Sequence, residues 1–204
     1  MKSKLFYVVI LLLLSKNIFA KEYDLSDIFT QNLNFKAEIL VVPANVKNSW
    51  TNETRVIERN SSEIKVEDKD FENGNLKEIE YHWYDKNGIR IKYKSASKEY
   101  SIKNQNYNAS FKSLELGNKG ELPILYSSQG EIIKSNWVFL QENGKPCLKI
   151  LTKYISSSNL INESIEYNYY LTESGKIESF IFNYYTGDKI FHLLKVESKE
   201  VNYK

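Results

Sequence analysis

The segment Glu163–Tyr185 reads E-S-I-E-Y-N-Y-Y-L-T-E-S-G-K-I-E-S-F-I-F-N-Y-Y, two aromatic-rich runs on either side of Ser174-Gly175. A tight turn at those two residues sets Glu173 against Lys176. Tyr169 then lies opposite Phe180, Tyr167 opposite Phe182 and Ile165 opposite Tyr184. Side chains alternate along a strand, so all six share one face. Cross-strand aromatic and β-branched pairs of this kind hold antiparallel strands together. A helix could not gather these rings on one side.

The same construction recurs along the chain. Lys77–Lys94 alternates on both sides of Asn87-Gly88, and a three-residue loop with Gly88 left-handed pairs Trp83 with Ile91 and Tyr81 with Tyr93. In that register Glu80 faces Lys94, His82 faces Lys92 and Tyr84 faces Arg90, an amphiphilic and wet second face. An Asn143-Gly144 turn pairs Phe139 with Leu148, Trp137 with Ile150 and Ile133 with Tyr154. The last strand, Lys189–Glu197, is apolar on both faces and is expected to be interior or covered. One helix is expected, over Asp24–Leu33, with Leu25, Ile28, Phe29 and Leu33 on one side. Ala44–Asn52 reads as loop, and the charged run Asp68–Asn75 as a surface loop closed by Asn73-Gly74.

Short strands separated by turn signals predict a mainly β fold: an antiparallel meander of roughly 11–13 strands. That is too many for one flat sheet, so it should curl into a barrel, a half-barrel or two layers. The 204 residues divide into a leader, 1–20, and a single β-rich domain, 21–204. Lys2 and Lys4, the apolar run Leu5–Leu14 and the small residue Ala20 together read as a secretory signal peptide. Ten apolar residues are too few to span a bilayer. The expected destination is a bacterial periplasm or the exterior, with no transmembrane segment in the mature chain.

Charge narrows the partners. The chain carries 28 Lys and Arg against 26 Asp and Glu. Removing the leader lysines Lys2, Lys4 and Lys16 leaves 25 against 26, so nothing global draws the protein to nucleic acid. Cys147 is the one cysteine, which excludes an intramolecular disulfide and reads as a buried thiol inside a strand.

No metal spacing, nucleophile elbow or phosphate-cradling glycine loop is present, and no cofactor is expected. Glu78, Glu80 and His82 share a strand face, where a histidine between carboxylates could act as a base for a hydrolase. The bland reading, a solvated face that disperses charge, is preferred. His192 is placed beside Asn183 or Phe182, depending on the length of the preceding turn. The outlier is aromatic content, 14% with 15 tyrosines. The expected inner face, and with it the binding surface, comprises Tyr81, Trp83, Tyr93, Trp137, Phe139, Tyr167, Tyr169, Phe180 and Phe182. The expectation is a non-catalytic carrier of an apolar small molecule or lipid. The alternative is a protein-interaction module (an envelope-complex subunit or an exported inhibitor) with a filled core.

Overall fold

The computed structural model describes residues 21–103 and 106–204; the leader read over residues 1–20 lies outside them. Thirteen strands account for most of the chain: β1 (Leu33–Val41), β2 (Val46–Arg59), β3 (Glu63–Glu72), β4 (Asn75–Asp85), β5 (Arg90–Lys94), β6 (Glu99–Ile102), β7 (Lys119–Glu121), β8 (Leu125–Ser127), β9 (Ile132–Glu142), β10 (Lys145–Ile155), β11 (Ile161–Leu171), β12 (Ile177–Thr186) and β13 (Phe191–Tyr203). All pairings are antiparallel. β13 returns to β1, and β9 pairs with both β8 and β10, so the sheet closes into a barrel. β7 and β8 lie end to end along the same edge of β9 and fill one wall position between them. Thirteen strands therefore make a twelve-position wall.

The aromatic hairpin pairs as its sequence predicts, with Tyr169 on Phe180, Tyr167 on Phe182 and Ile165 on Tyr184. Its turn is one residue wider than expected, because Leu171 pairs with Ile177, and a bulge beside Tyr170 restores the register. Asn143 and Gly144 both take positive φ, 52° and 79°, and the β9–β10 register is the predicted one. Cys147 is fully buried, opposite Leu140 and Tyr170. Burial, with Glu142 nearby, pushes its thiol up to about 12.

No helix occurs among the described residues. Segment 24–33, expected to be helical, makes only single i+3 turns, from Ile28 N–H to Leu25 and from Thr30 N–H to Asp27. Its backbone is committed elsewhere: Tyr23 bridges to Leu114, and Leu25 N–H donates to the Phe111 carbonyl at 2.8 Å. The four apolar residues still act together. Leu25, Ile28 and Leu33 are buried, and Phe29 packs against Tyr84, Phe111 and Tyr169. They close one barrel mouth, helped by the loop that carries Phe111. Two glycines let this plug approach. A Cβ on Gly88 (φ +80°) would come within 2.6 Å of the Ser26 carbonyl oxygen, and one on Gly175 (φ +83°) within 3.0 Å of Leu25.

Three other expectations change. Ala44–Asn52 is not loop beyond Asn45, because β2 starts at Val46. The charged run 68–75 is strand as far as Glu72, with the turn at Asn73-Gly74 where expected. The outer face of β13 is not covered, because the plug sits in the barrel mouth. Leu193, on that face, stands 41% exposed, while Val196, facing inward, is buried. His192 stacks on Tyr185 on the outer side, beside neither predicted neighbour.

The plug predicts two stability effects. Leu25→Ala should cost about 2–4 kcal/mol by emptying a fully buried site. Gly88→Ala should cost at least about 2 kcal/mol, from strain at positive φ and from contact with the Ser26 backbone. Urea unfolding measures both; losses below about 0.5 kcal/mol would mean that the segment does not close the barrel.

Candidate functional site

The barrel interior has two halves. Phe139, Leu148 and Phe180, all buried, fill part of it, with Phe35 edge-on to Phe180 at 4.6 Å between ring centres. Elsewhere the rings do not fill the bore, and a cavity of about 180 Å³ remains, floored by Ile28, Phe29 and Leu33 of the plug together with Phe111 and Ile177. A second space of about 370 Å³ shares Asp70, Glu80, Tyr93, Tyr154, Tyr167 and Tyr184 with it and forms its vestibule, between the strand ends opposite the plug.

One wall of this cavity is ionisable. It is built by β3, β4 and β5, and a bulge orients the β5 part. Tyr84 pairs with Arg90 as the sequence predicts, but Trp83 then pairs with Lys92, His82 with Tyr93 and Tyr81 with Lys94, leaving Ile91 unmatched. That extra residue moves every later side chain of β5 by one place relative to β4. Glu80, His82 and Tyr84 line the cavity, on the same side as Asp68 and Asp70 of β3, while Tyr81 and Trp83 face outward; the bulge brings Tyr93 inward beside His82. The ammonium groups of Lys65 and Lys92 sit over the Trp83 ring at 5.0 and 4.7 Å. The face expected to be wet is the inner one.

On β3 and β4 the register sets Asp68 opposite Glu80 and Asp70 opposite Glu78, two successive carboxylate pairs on the inner side. Like charges directly opposed across an antiparallel pair are destabilising. His82, buried, gives partial compensation. Its Nε2 lies 3.2 Å from Asp68 Oδ2 and 3.5 Å from Glu80 Oε2. The angles do not make aligned hydrogen bonds, and both ring nitrogens and Asp68 Oδ1 are buried without such a bond among the described residues. The contact is therefore chiefly charge attraction. Burial pulls the imidazole pKa down, but Asp68 and Glu80 outweigh it and hold it at about 9. A ring that stays protonated at neutral pH is a poor general base.

Asp70 has weaker support. Its Oδ1 accepts one hydrogen bond from Asn52 Nδ2 at 2.7 Å. Burial first, then Glu80, Asp68 and Glu78, push it up to about 7. Glu80 accepts a bond from the Tyr93 hydroxyl and is held low, because His82, Tyr93 and Arg90 overcome its burial. Arg90 lines the cavity with its guanidinium 5.4 Å from the Tyr93 ring centre, and no carboxylate of the described residues lies within 4.0 Å of it. The opposite wall is aromatic and hydroxylic: Tyr154, Tyr167, Tyr169, Phe182 and Tyr184, with Ser135 and Thr152 sharing a 2.9 Å hydrogen bond, and Trp50 of β2 flanks the acidic wall.

Of the nine side chains expected on the inner face, Tyr93, Tyr167, Tyr169 and Phe182 line the cavity. Trp137, Phe139 and Phe180 point inward but belong to the filled half. Tyr81 and Trp83 are outside. Sequence reasoning missed Trp50, Asn52, Asp68, Asp70, Arg90, Tyr154 and Tyr184. A signal for the acidic wall was present in the alternation Asp68, Asp70 against Glu78, Glu80, His82, but it spells polar residues where an interior is normally apolar. No family model matches the chain, and neither a curated protein nor a solved structure matches it.

These groups set a pH response. The Asp70 pKa is raised on folding, so its ionisation opposes the folded state, and stability falls as pH rises from about 4 to about 7. The His82 pKa is also raised, so its contribution is complete below about 6.5 and is lost as pH climbs to about 9. Thermal unfolding followed by circular dichroism should show stability declining from mildly acid pH to about pH 9. Asp70→Asn should flatten the lower part of the decline and add about 2–3 kcal/mol at pH 8. His82→Gln should remove the upper part while lowering stability at acid pH. A wild-type stability that rises between pH 6 and 9 contradicts both assignments.

Proposed function

We propose that this protein is an exported, non-catalytic binding protein that holds one small molecule in the barrel cavity. The observation that supports this most is the uneven filling of the bore. One mouth is plugged and packed, whereas the other leads through a vestibule into a cavity with an aromatic wall and an ionisable wall. Asp68, Asp70 and Glu80 are half-buried; like charges held there without full compensation are costly, and structures that carry them are candidates for sites whose partner arrives from outside. A cavity of about 180 Å³ has room for roughly a dozen water-sized atoms. That suits a metabolite-sized ligand rather than a long lipid.

The ligand need not be wholly apolar, as the aromatic content alone would suggest. Its middle would lie against Trp50, Tyr169 and Phe182, and its polar ends would meet the acidic wall or Arg90. Export is inferred from the leader at residues 1–20 and agrees with the single, buried cysteine.

Mass spectrometry of the protein purified from the envelope fraction of its host tests both parts. The denatured mass should begin at Lys21. The native spectrum should carry a one-to-one small-molecule adduct, and Thr152→Leu, which thickens the cavity wall, should reduce its occupancy at least tenfold. A full-length cytoplasmic product removes the export claim. A bare native mass, or an adduct indifferent to Thr152→Leu, removes the cavity claim.

A further inference from the structure

Two charge deficits of opposite sign face the same space. The first is Arg90. A guanidinium cannot shed its charge in a protein and presents five donors. Here it is enclosed within the barrel, without a carboxylate within 4.0 Å among the described residues, and its principal titratable neighbours are the phenols of Tyr154, Tyr84, Tyr167 and Tyr93. Phenols supply hydrogen-bonding oxygen but no negative charge, and Glu80, which accepts from the Tyr93 hydroxyl, answers the guanidinium only from beyond 4.0 Å while also serving His82. The second is the acidic ladder nearer the mouth. Asp70, Glu78 and Glu80 line the vestibule, and none of the three has a lysine or arginine within 4.0 Å among the described residues. His82, at the inner end of the ladder, answers Asp68 and Glu80 but reaches neither Asp70 nor Glu78 at that distance.

The deficits are separated along the barrel axis. The guanidinium lies over Tyr93, which pairs with His82. Glu80 comes next, bonded to the Tyr93 hydroxyl, and from the level of His82 to that of Glu78 and its partner Asp70 is four residues of strand, roughly 13 Å. A ligand that answers both must carry a negative group at its inner end and a positive group toward the mouth, joined by a stem of several bonds. The stem would pass Tyr167 and Tyr184, which line both spaces.

We infer that the cavity selects a small extended zwitterion, a carboxylate seated on Arg90 and a protonated amine held by Asp70, Glu78 and Glu80. The chemical class is that of ω-amino acids, basic amino acids and short peptides. Neither half of the site suits a simple ion. An anion would have to pass the acidic mouth, and a cation would leave Arg90 unanswered. The inference rests on the cavity-binding reading above and adds the charge pattern of the ligand.

The test is titration calorimetry at pH 7 with four probes of matched stem: 6-aminohexanoate, hexanoate, hexylamine and 1-hexanol. NMR of the His82 ring provides an independent report of cavity occupancy. The expected result is that 6-aminohexanoate binds at least tenfold more tightly than each of the others and shifts the His82 signals. Arg90→Met should bring its affinity down to that of hexylamine, and Asp70→Asn with Glu78→Gln to that of hexanoate. Equal affinity for 6-aminohexanoate and any one-charge probe, with His82 shifts, overturns the zwitterion and leaves the cavity reading standing. Absence of binding and of His82 shifts with all four probes overturns both. Because the probe comparison is made on the wild-type protein, the outcome does not depend on whether Arg90→Met folds.

Discussion

A closed barrel of twelve wall positions has a bore wider than ordinary side chains can fill, and the rest of this structure answers that constraint. Eight-stranded barrels close over their own side chains, and the space grows with each added strand. Two devices occupy the extra room here. Stacked rings such as Phe180 and Phe182, 4.3 Å apart, project farther than aliphatic groups. The segment from Tyr23 to Leu33 folds back into one mouth as a plug. The plug needs no helix, because its backbone groups find partners in the loop around Phe111 and in single turns. Between the two a cavity remains, lined by Phe182 on one side and by Ile28 and Phe29 of the plug on another.

One unmatched residue decides what β5 adds to the ionisable wall. β4 takes its facing from β3, so without the bulge at Ile91 the lysines Lys92 and Lys94 would stand beside His82 and Glu80 inside the barrel, and Tyr93 would face out. With it, Arg90 and Tyr93 join Glu80, His82 and Tyr84 around the cavity, and Trp83 is covered on the outside by lysines. Bulges commonly re-aim side chains in this way. The arrangement carries a cost in opposed carboxylates and an unanswered guanidinium. That cost is what a bound molecule of complementary charge would relieve, and it links the fold to the proposed role.

Much of the wall was legible in advance. The registers of β9–β10 and β11–β12 follow from Asn143-Gly144 and from the aromatic pairing, and the meander and strand number follow from the alternation and its turns. The candidate site was legible only in part. Tyr93, Tyr167, Tyr169 and Phe182 are rings on apolar faces and read as interior. Asp68 and Asp70 read as surface because a charged residue next to a turn usually is. Nothing local marks their strand as one side of a cavity.

The amino-acid sequence by itself determined the β architecture, the turn positions and the burial of Cys147. These depend on side-chain alternation and on residues that accept positive φ, both of which act over a few neighbours. Tertiary structure alone decided which face of β4 is inner, that segment 24–33 is a plug rather than a helix, and that Arg90 meets the acidic ladder across a shared space. A one-residue bulge reverses a strand's facing at small local cost, and closing the barrel brings together groups far apart in the chain. Both are settled by the packing of the whole wall.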